Sequence, residues 1–352
     1  MKGLIAPARY LQGRGILEDD PFASLEGDRA FVLGGTTALE AAGEPISSGL
    51  TAAGIEIAAM VDGVDACTFE RIDRLAERAE TQRADLVVGV GGGVALDTAK
   101  AVAASIGSEL ATVPTVASTD APCSAVAVVY DGTGAYDGYV RRDRNPELVV
   151  VDTAVIAQSP ARFLAYGMGD AIATKFEAEA VARGTATTHA DGTPTIAALA
   201  VARECYQTVR RHGRGALDAA ERDAVTPALE RVVEANTLLS GIGFESGGLA
   251  AAHAFGKGFS RAGVEAPHGT VIAVGTLAQL VLEGRPLGLL ADLRSFLEGI
   301  DLAVEFDELG VDDGTIEAIA GYACADDTTM GNQPRIVAPE DAADALRAVA
   351  AL

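Results

Sequence analysis

Up to about residue 151 the chain alternates short apolar, β-branched runs with segments whose apolar positions recur at helical spacing. Strands are predicted at 29–33, 55–61, 86–90, 110–113, 125–130 and 148–151, with helices near 37–43, 68–83 and 94–105. Strands separated by helices of this length predict βαβ units and a parallel sheet. After about residue 155 only helical periodicity remains, at 161–183, 195–211, 218–241, 248–259, 268–282, 289–298, 304–309, 315–325 and 339–352. Ser159-Pro160, Pro267 and Ala338-Pro339-Glu340 supply start signals for three of these. The expected fold is an α/β nucleotide-type domain over 1–155 followed by an all-helical domain over 156–352, with a linker near 152–160.

Composition sharpens this picture. The 352 residues are 49% hydrophobic and 22% charged, enough for two domains with a sizeable core. Tryptophan is absent and aromatics make up 5%, so that core must be aliphatic and rich in Ala and Gly. Fifty acidic residues against 27 basic ones leave a net charge of −23, which argues against nucleic acid and anionic lipid as partners. Only four of the basic residues are lysine: Lys2, Lys100, Lys175 and Lys257. A carboxylate-dominated surface repels itself unless salt screens it, so a salt-loving host is expected. Cys67, Cys123, Cys205 and Cys324 are scattered without a CxxC pair and read as free thiols. The first fifteen residues lack the apolar core of a signal peptide, and no run is long enough to cross a membrane. A cytoplasmic protein without membrane contacts is expected.

Three segments carry chemistry. In the first, Val87-Val88-Gly89-Val90 leads into Gly91-Gly92-Gly93 and then a helix containing Asp97 and Lys100. Glycine lets the backbone approach a ligand closely, and a helix start offers free N–H groups to a pyrophosphate. The spacing is not GxGxxG, because Val94 stands in the way, and a ligand-free βα turn is equally compatible with it. The second, Pro114 to Ser124, is a loop dense in small hydroxyls after a strand, with Asp120 its one acid. Loops at the carboxyl edge of a parallel sheet bind ligands, although a plain proline-bounded turn would read the same. The third is dispersed. Asp170 lies on an otherwise apolar helical turn, and His253 and His268 lie among small apolar residues. One carboxylate and two imidazoles match an open catalytic zinc site, but separations of 83 and 15 residues match no local metal signature. Hydrogen-bonded single residues remain the alternative.

Together these segments resemble the glycerol dehydrogenases of the iron-containing alcohol dehydrogenase superfamily, over essentially the whole chain. The likeness is specific in GVGGGVALDTAKAVA, PTVASTDAPCSAVAVVY, GMGDAIATKFEAEA, GLAAAHAFGKGFS, HGTVIAVGTLAQLVLEG and the tail near Gln333-Pro334. It implies a dinucleotide-binding domain with a parallel sheet, then a helical metal- and substrate-binding domain, as in the dehydroquinate synthase-like, group III alcohol dehydrogenase architecture. It implies metal ligands at Asp170, His253 and His268, for zinc in most such enzymes and iron in some. It implies contacts to NAD at Gly92, Gly93, Asp97, Thr115, Ser118, Ser124, Val126 and Tyr130, and substrate hydroxyls at Asp120. The implied reaction takes glycerol or a similar vicinal diol to dihydroxyacetone, in a homo-oligomer of two to eight subunits.

The chain departs from the family pattern in places. Leu33-Gly34-Gly35-Thr36 carries no acid at the end of the first strand, so NADP is not excluded. Gly256 stands where relatives have a second histidine, and Thr270 where they have glutamate. Lys257 reads either as a helix-end lysine in solvent or as a residue that faces the cleft and favours an anionic or phosphorylated group. An sn-glycerol-1-phosphate dehydrogenase and a catalytically inactive nucleotide-binding homologue are the alternative readings. The first usually carries Ser-His-Asp-Gly where Ser118-Thr119-Asp120-Ala121 stands here. The related 3-dehydroquinate synthases have a basic phosphate pocket that is not evident in this chain.

Overall fold

The computed structural model describes residues 1–132 and 134–352. Its elements are β1 (Lys2–Gly3), β2 (Tyr10–Gly13), β3 (Arg29–Gly34), α1 (Thr36–Ala52), β4 (Glu56–Val61), α2 (Phe69–Thr81), β5 (Leu86–Gly91), α3 (Gly93–Ile106), β6 (Glu109–Pro114), β7 (Val126–Tyr130), β8 (Tyr136–Arg141) and β9 (Leu148–Asp152). Then come α4 (Thr153–Ala157), α5 (Ala161–Arg183), β10 (Thr193–Pro194), α6 (Ile196–Ala220), α7 (Pro227–Glu234), a π-helical turn (Ala235–Leu239), α8 (Ser240–Gly247), α9 (Ala251–Arg261), α10 (His268–Leu282), α11 (Leu287–Glu298), α12 (Asp313–Ala323) and α13 (Pro339–Ala350).

Six strands form one parallel sheet in the order β2-β9-β6-β5-β3-β4. Alternate residues of each strand enter different cores. Ala30, Val32, Val88 and Val90 pack toward α1, while Phe31, Leu33 and Val87 pack toward α2 and α3. Strand β9 joins the two halves: Leu148 and Val150 belong to the sheet's core, while Val149 and Val151 belong to the core of the helical half. This division follows from the period-two alternation of a strand covered on both faces.

Helices α5 and α10 span 161–183 and 268–282 as expected. Helix α1 runs past the expected 43 through Pro45, because Ile46, Gly49 and Leu50 are buried on its inner face and tertiary packing outweighs the lost hydrogen bond. The single helix expected over 218–241 is divided. Helix α6 continues to Ala220, and a new start at Thr226-Pro227, with Thr226 accepting from the Leu229 N–H, opens α7. No helix forms over 304–309: residues 306–310 form a turn. Strand β8, half-buried and interrupted by Gly138, pairs antiparallel with β7 and has no expected counterpart. A two-residue parallel pairing of β1 with β10 corrects the expectation of no strand in the helical half.

Candidate active site

Strand order reverses around β3, which has β4 on one side and β5 on the other. Ligands of open α/β sheets bind at the carboxyl ends beside such a reversal. Both glycine turns lie there, with Gly34 of β3 paired to Val90 of β5. Gly91 has φ +141°, a region closed to most side chains, and a Cβ on Gly34 would stand 2.6 Å from the Val90 carbonyl oxygen. Gly92 and Gly93 open α3, and their Cα positions face Val116 and Thr119 of the 115–124 loop. The Thr115 N–H donates to the Gly91 carbonyl at 3.2 Å, so Gly92, Gly93 and Thr115 converge on one edge of the sheet, with Ser118 in the same loop.

Asp97 and Ser124 lie deeper. The fully buried Lys100 ammonium donates to Asp97 Oδ1 at 2.9 Å, Ser124 Oγ at 2.9 Å and the Val126 carbonyl at 2.7 Å. Asp97 Oδ2 accepts from the Val128 N–H at 3.2 Å. Burial raises the Asp97 pKa, and Lys100 opposes that rise. Three of the residues expected at the cofactor, Asp97, Ser124 and Val126, thus tie α3 to β7 beneath the turn.

The helical half approaches the same loop through glycine. A Cβ on Gly167 would stand 2.0 Å from the Ala117 carbonyl oxygen, and one on Gly169 would stand 2.4 Å from that of Gly269. Helices α5 and α10 therefore cross nearly backbone to backbone, which brings Asp170 to His268. His253, on α9, completes the group. Its Nε2 lies 3.4 Å from Asp170 Oδ1, and His268 Nε2 lies 3.6 Å from the same atom. One potential ligand atom from each residue lies within 4.8 Å of the others. Asp170 is 2% exposed and its Oδ1 has no hydrogen-bond partner. Donors about 2.1 Å from a tetrahedral zinc ion lie about 3.4 Å from one another. The orphaned oxygen and the two imidazole nitrogens thus fit a divalent ion in both spacing and chemistry.

Two carboxylates near this point are driven apart in acidity. Burial would raise the Asp170 pKa, but the two imidazoles beside it outweigh burial and hold it below the usual carboxylate range. Burial and the Asp170 charge push Asp120 well above that range, against a hydrogen bond from Ser240. Ser240 Oγ lies 2.8 Å from Asp120 Oδ2 and 3.0 Å from Thr174 Oγ1. Ser240 sits where the π-helical turn passes into α8, and π-helical turns recur at functional sites. Sequence reasoning missed Ser240, Thr174 and Glu177. For Thr174 and Glu177 a signal existed: they follow Asp170 by four and seven residues and so share its face of α5.

One expectation about α9 is corrected, and one departure from the relatives is explained. Lys257 does not stand free in a cleft: its Nζ lies 4.6 Å over the Tyr136 ring and donates to the Asp327 carbonyl at 3.2 Å. Gly256 is buried, and a Cβ there would stand 2.5 Å from Ile272 Cδ1, so this position belongs to the contact between α9 and α10. Thr270 is likewise buried. Among the described residues no helix is long and apolar enough to cross a membrane.

Residues 7–153 match the iron-containing alcohol dehydrogenase family. The chain is 40% identical over 347 residues, 97% of its length and 95% of the other, to a glycolaldehyde reductase of Halobacterium salinarum. It is 42% identical over 353 residues, 98% and 95% of the two chains, to a glycerol dehydrogenase of Thermotoga maritima. Its fold matches the crystal structure of a probable glycerol dehydrogenase from Sinorhizobium meliloti, with a TM-score of 0.92 and 36% identity, covering 100% of this chain and 99% of that one.

Proposed function

The chain belongs to the iron-containing alcohol dehydrogenase family, and on that premise we propose that it is a metal-dependent polyol dehydrogenase. It passes a hydride between glycerol, or a similar vicinal diol, and a nicotinamide dinucleotide, giving dihydroxyacetone from glycerol. The convergence of Asp170, His253 and His268 near Asp120 carries this reading.

Asp170, His253 and His268 would hold the ion, and the backbone of Gly92 and Gly93 with Thr115 and Ser118 would hold the dinucleotide. The ion supplies Lewis-acid stabilisation of charge on the reacting oxygen, and the nicotinamide supplies the hydride chemistry. Ser240 fixes Oδ2 of Asp120 by a hydrogen bond. The other carboxylate oxygen is thereby oriented to accept from a hydroxyl adjacent to the reacting carbon, which selects diols over simple alcohols. Asp97, Ser124 and Val126 serve the cofactor from beneath the turn, and Tyr130 serves it from the end of β7.

A donor set of one carboxylate and two imidazoles suits zinc, with iron the second candidate. NAD is the expected dinucleotide; NADP remains open because Gly34 and Gly35 place no carboxylate at the end of β3. The division near residue 155 separates dinucleotide from metal, since β9 ends at Asp152 and all three metal candidates lie beyond it. The four cysteines are unpaired, in keeping with a cytoplasmic setting. Homo-oligomerisation belongs to the same reading.

The glycolaldehyde reductase of Halobacterium salinarum favours a second substrate for the same chemistry, because glycolaldehyde and ethylene glycol form a smaller couple of this kind. The glycerol-phosphate alternative finds no support in Lys257, whose amine is engaged by Tyr136 and Asp327. The test is activity of metal-reconstituted protein in high salt, with NAD and NADP, on glycerol, 1,2-propanediol, ethylene glycol and glycerol 1-phosphate. Metal-dependent turnover of unphosphorylated diols is expected. Turnover restricted to glycerol 1-phosphate, or unaffected by chelation, would overturn the proposal.

A further inference from the structure

Glu177 lies in the GMGDAIATKFEAEA segment, where the resemblance assigns it no role, and it is completely buried. It stands two helical turns beyond Asp170 on α5. Its Oε1 accepts from the Ala250 N–H at 2.7 Å and the His253 N–H at 3.0 Å, while Oε2 lies 2.6 Å from His253 Nδ1. Glu177 thus caps the first turn of α9 from a different helix and grips the ring of the residue it caps. Among the described residues its ion-pair partner is His253.

We propose that Glu177 is the positioning residue of the metal centre, selecting the His253 tautomer that can bind a cation. The inference rests on the metal reading of Asp170, His253 and His268. A carboxylate that already accepts two backbone hydrogen bonds has only lone pairs to offer Nδ1, so Nδ1 must carry the hydrogen. In the neutral ring Nε2 is then bare, and it is the Nε2 atom that lies 3.4 Å from the orphaned Asp170 oxygen. The opposite tautomer would set the Nδ1 lone pair against a buried carboxylate and aim an N–H at the ion. Histidine ligands are commonly oriented through their second nitrogen in this way. Here one side chain also fixes the start of the helix that carries the ligand, so ring and backbone are set together.

Glu177→Gln separates tautomer selection from capping. The amide oxygen still accepts from Ala250 and His253, while its NH2 now faces Nδ1 and imposes the hydrogen on Nε2. Zinc affinity of the full-length protein is measured by chelator competition, together with the absorption spectrum of the cobalt-loaded form and the melting temperature of the metal-free form. The expected result is about 10- to 100-fold weaker zinc binding and an altered cobalt spectrum, with metal-free melting close to wild type. Unchanged zinc affinity and cobalt spectrum would overturn the inference. Nitrogen-15 resonances of zinc-loaded wild type give an independent reading: a hydrogen on His253 Nδ1 is expected, and one on Nε2 would overturn it. Wild-type protein that binds no zinc stoichiometrically would instead remove the metal reading itself.

Discussion

A Cβ placed on Gly269 would lie 1.8 Å from the carbonyl oxygen of Tyr166, closer than any side chain tolerates. Gly269 follows His268 and sets how near α10 comes to α5, so the position next to a metal candidate is governed by backbone sterics.

Gly269→Ala is therefore expected to push α10 away from α5. Overpacking of this kind costs about 1–3 kcal/mol, and the clash here is with backbone, which places the effect at the upper end. Denaturant unfolding gives the loss of stability and chelator competition gives the loss of zinc affinity. Wild-type values for both would contradict the close crossing.

Removing the Lys100 ammonium strands Asp97. The ion pair is buried, and deleting one partner of a buried pair typically costs about 3–5 kcal/mol because the other charge is left uncompensated. Lys100→Met should lower the urea midpoint by a corresponding amount. The double change with Asp97→Asn should recover part of the loss, which a double-mutant cycle measures directly.

Glu245 predicts a pH dependence. From α8 it accepts from the Ala125 N–H at 2.8 Å and from Asn145, joining the helical half to the segments flanking the β7–β8 hairpin. Burial pushes its carboxyl up to about 7, against those two hydrogen bonds. A folded-state value above the unfolded one stabilises the fold below about pH 4.5, and this contribution is lost as pH rises through about 7. The span corresponds to about 3 kcal/mol. Glu245→Gln should flatten the stability curve across that window, read as wild type minus variant from unfolding at successive pH values. Parallel curves would contradict this.

The charge of −23 predicts a response to salt. Screening shortens the range of repulsion from about 10 Å at 0.1 M to about 3 Å at 1 M, so stability should rise as KCl increases toward molar concentrations. Thermal unfolding across that range checks it. Greatest stability at the lowest salt would overturn the salt-adapted reading.

Much of the fold was legible in the residues. Strand β5 and helix α3 announce themselves by an apolar run, three glycines and a regular apolar face, and α5 and α10 begin after Pro160 and Pro267. Such signals are local, because period and punctuation act over a few residues. Strand β8 and the break before α7 escaped notice because one has a glycine in its middle and the other is marked only by Thr226-Pro227.

The candidate site was legible only in part. The types of Asp170, His253 and His268 pointed to a cation, but gaps of 83 and 15 residues carry no distance information. Glu177 shares the helical face of Asp170, but that spacing does not reveal His253 as its partner, and Lys257 reads along the chain as a charge turned toward a ligand. Composition and periodicity by themselves determined the class of the fold, its acidic character and which residues were chemically able to act. Tertiary structure decided which of them meet. The contacts that unite α5, α9 and α10 are close approaches at Gly169, Gly269 and Gly256. An absent side chain leaves no record in the sequence of what fills its place.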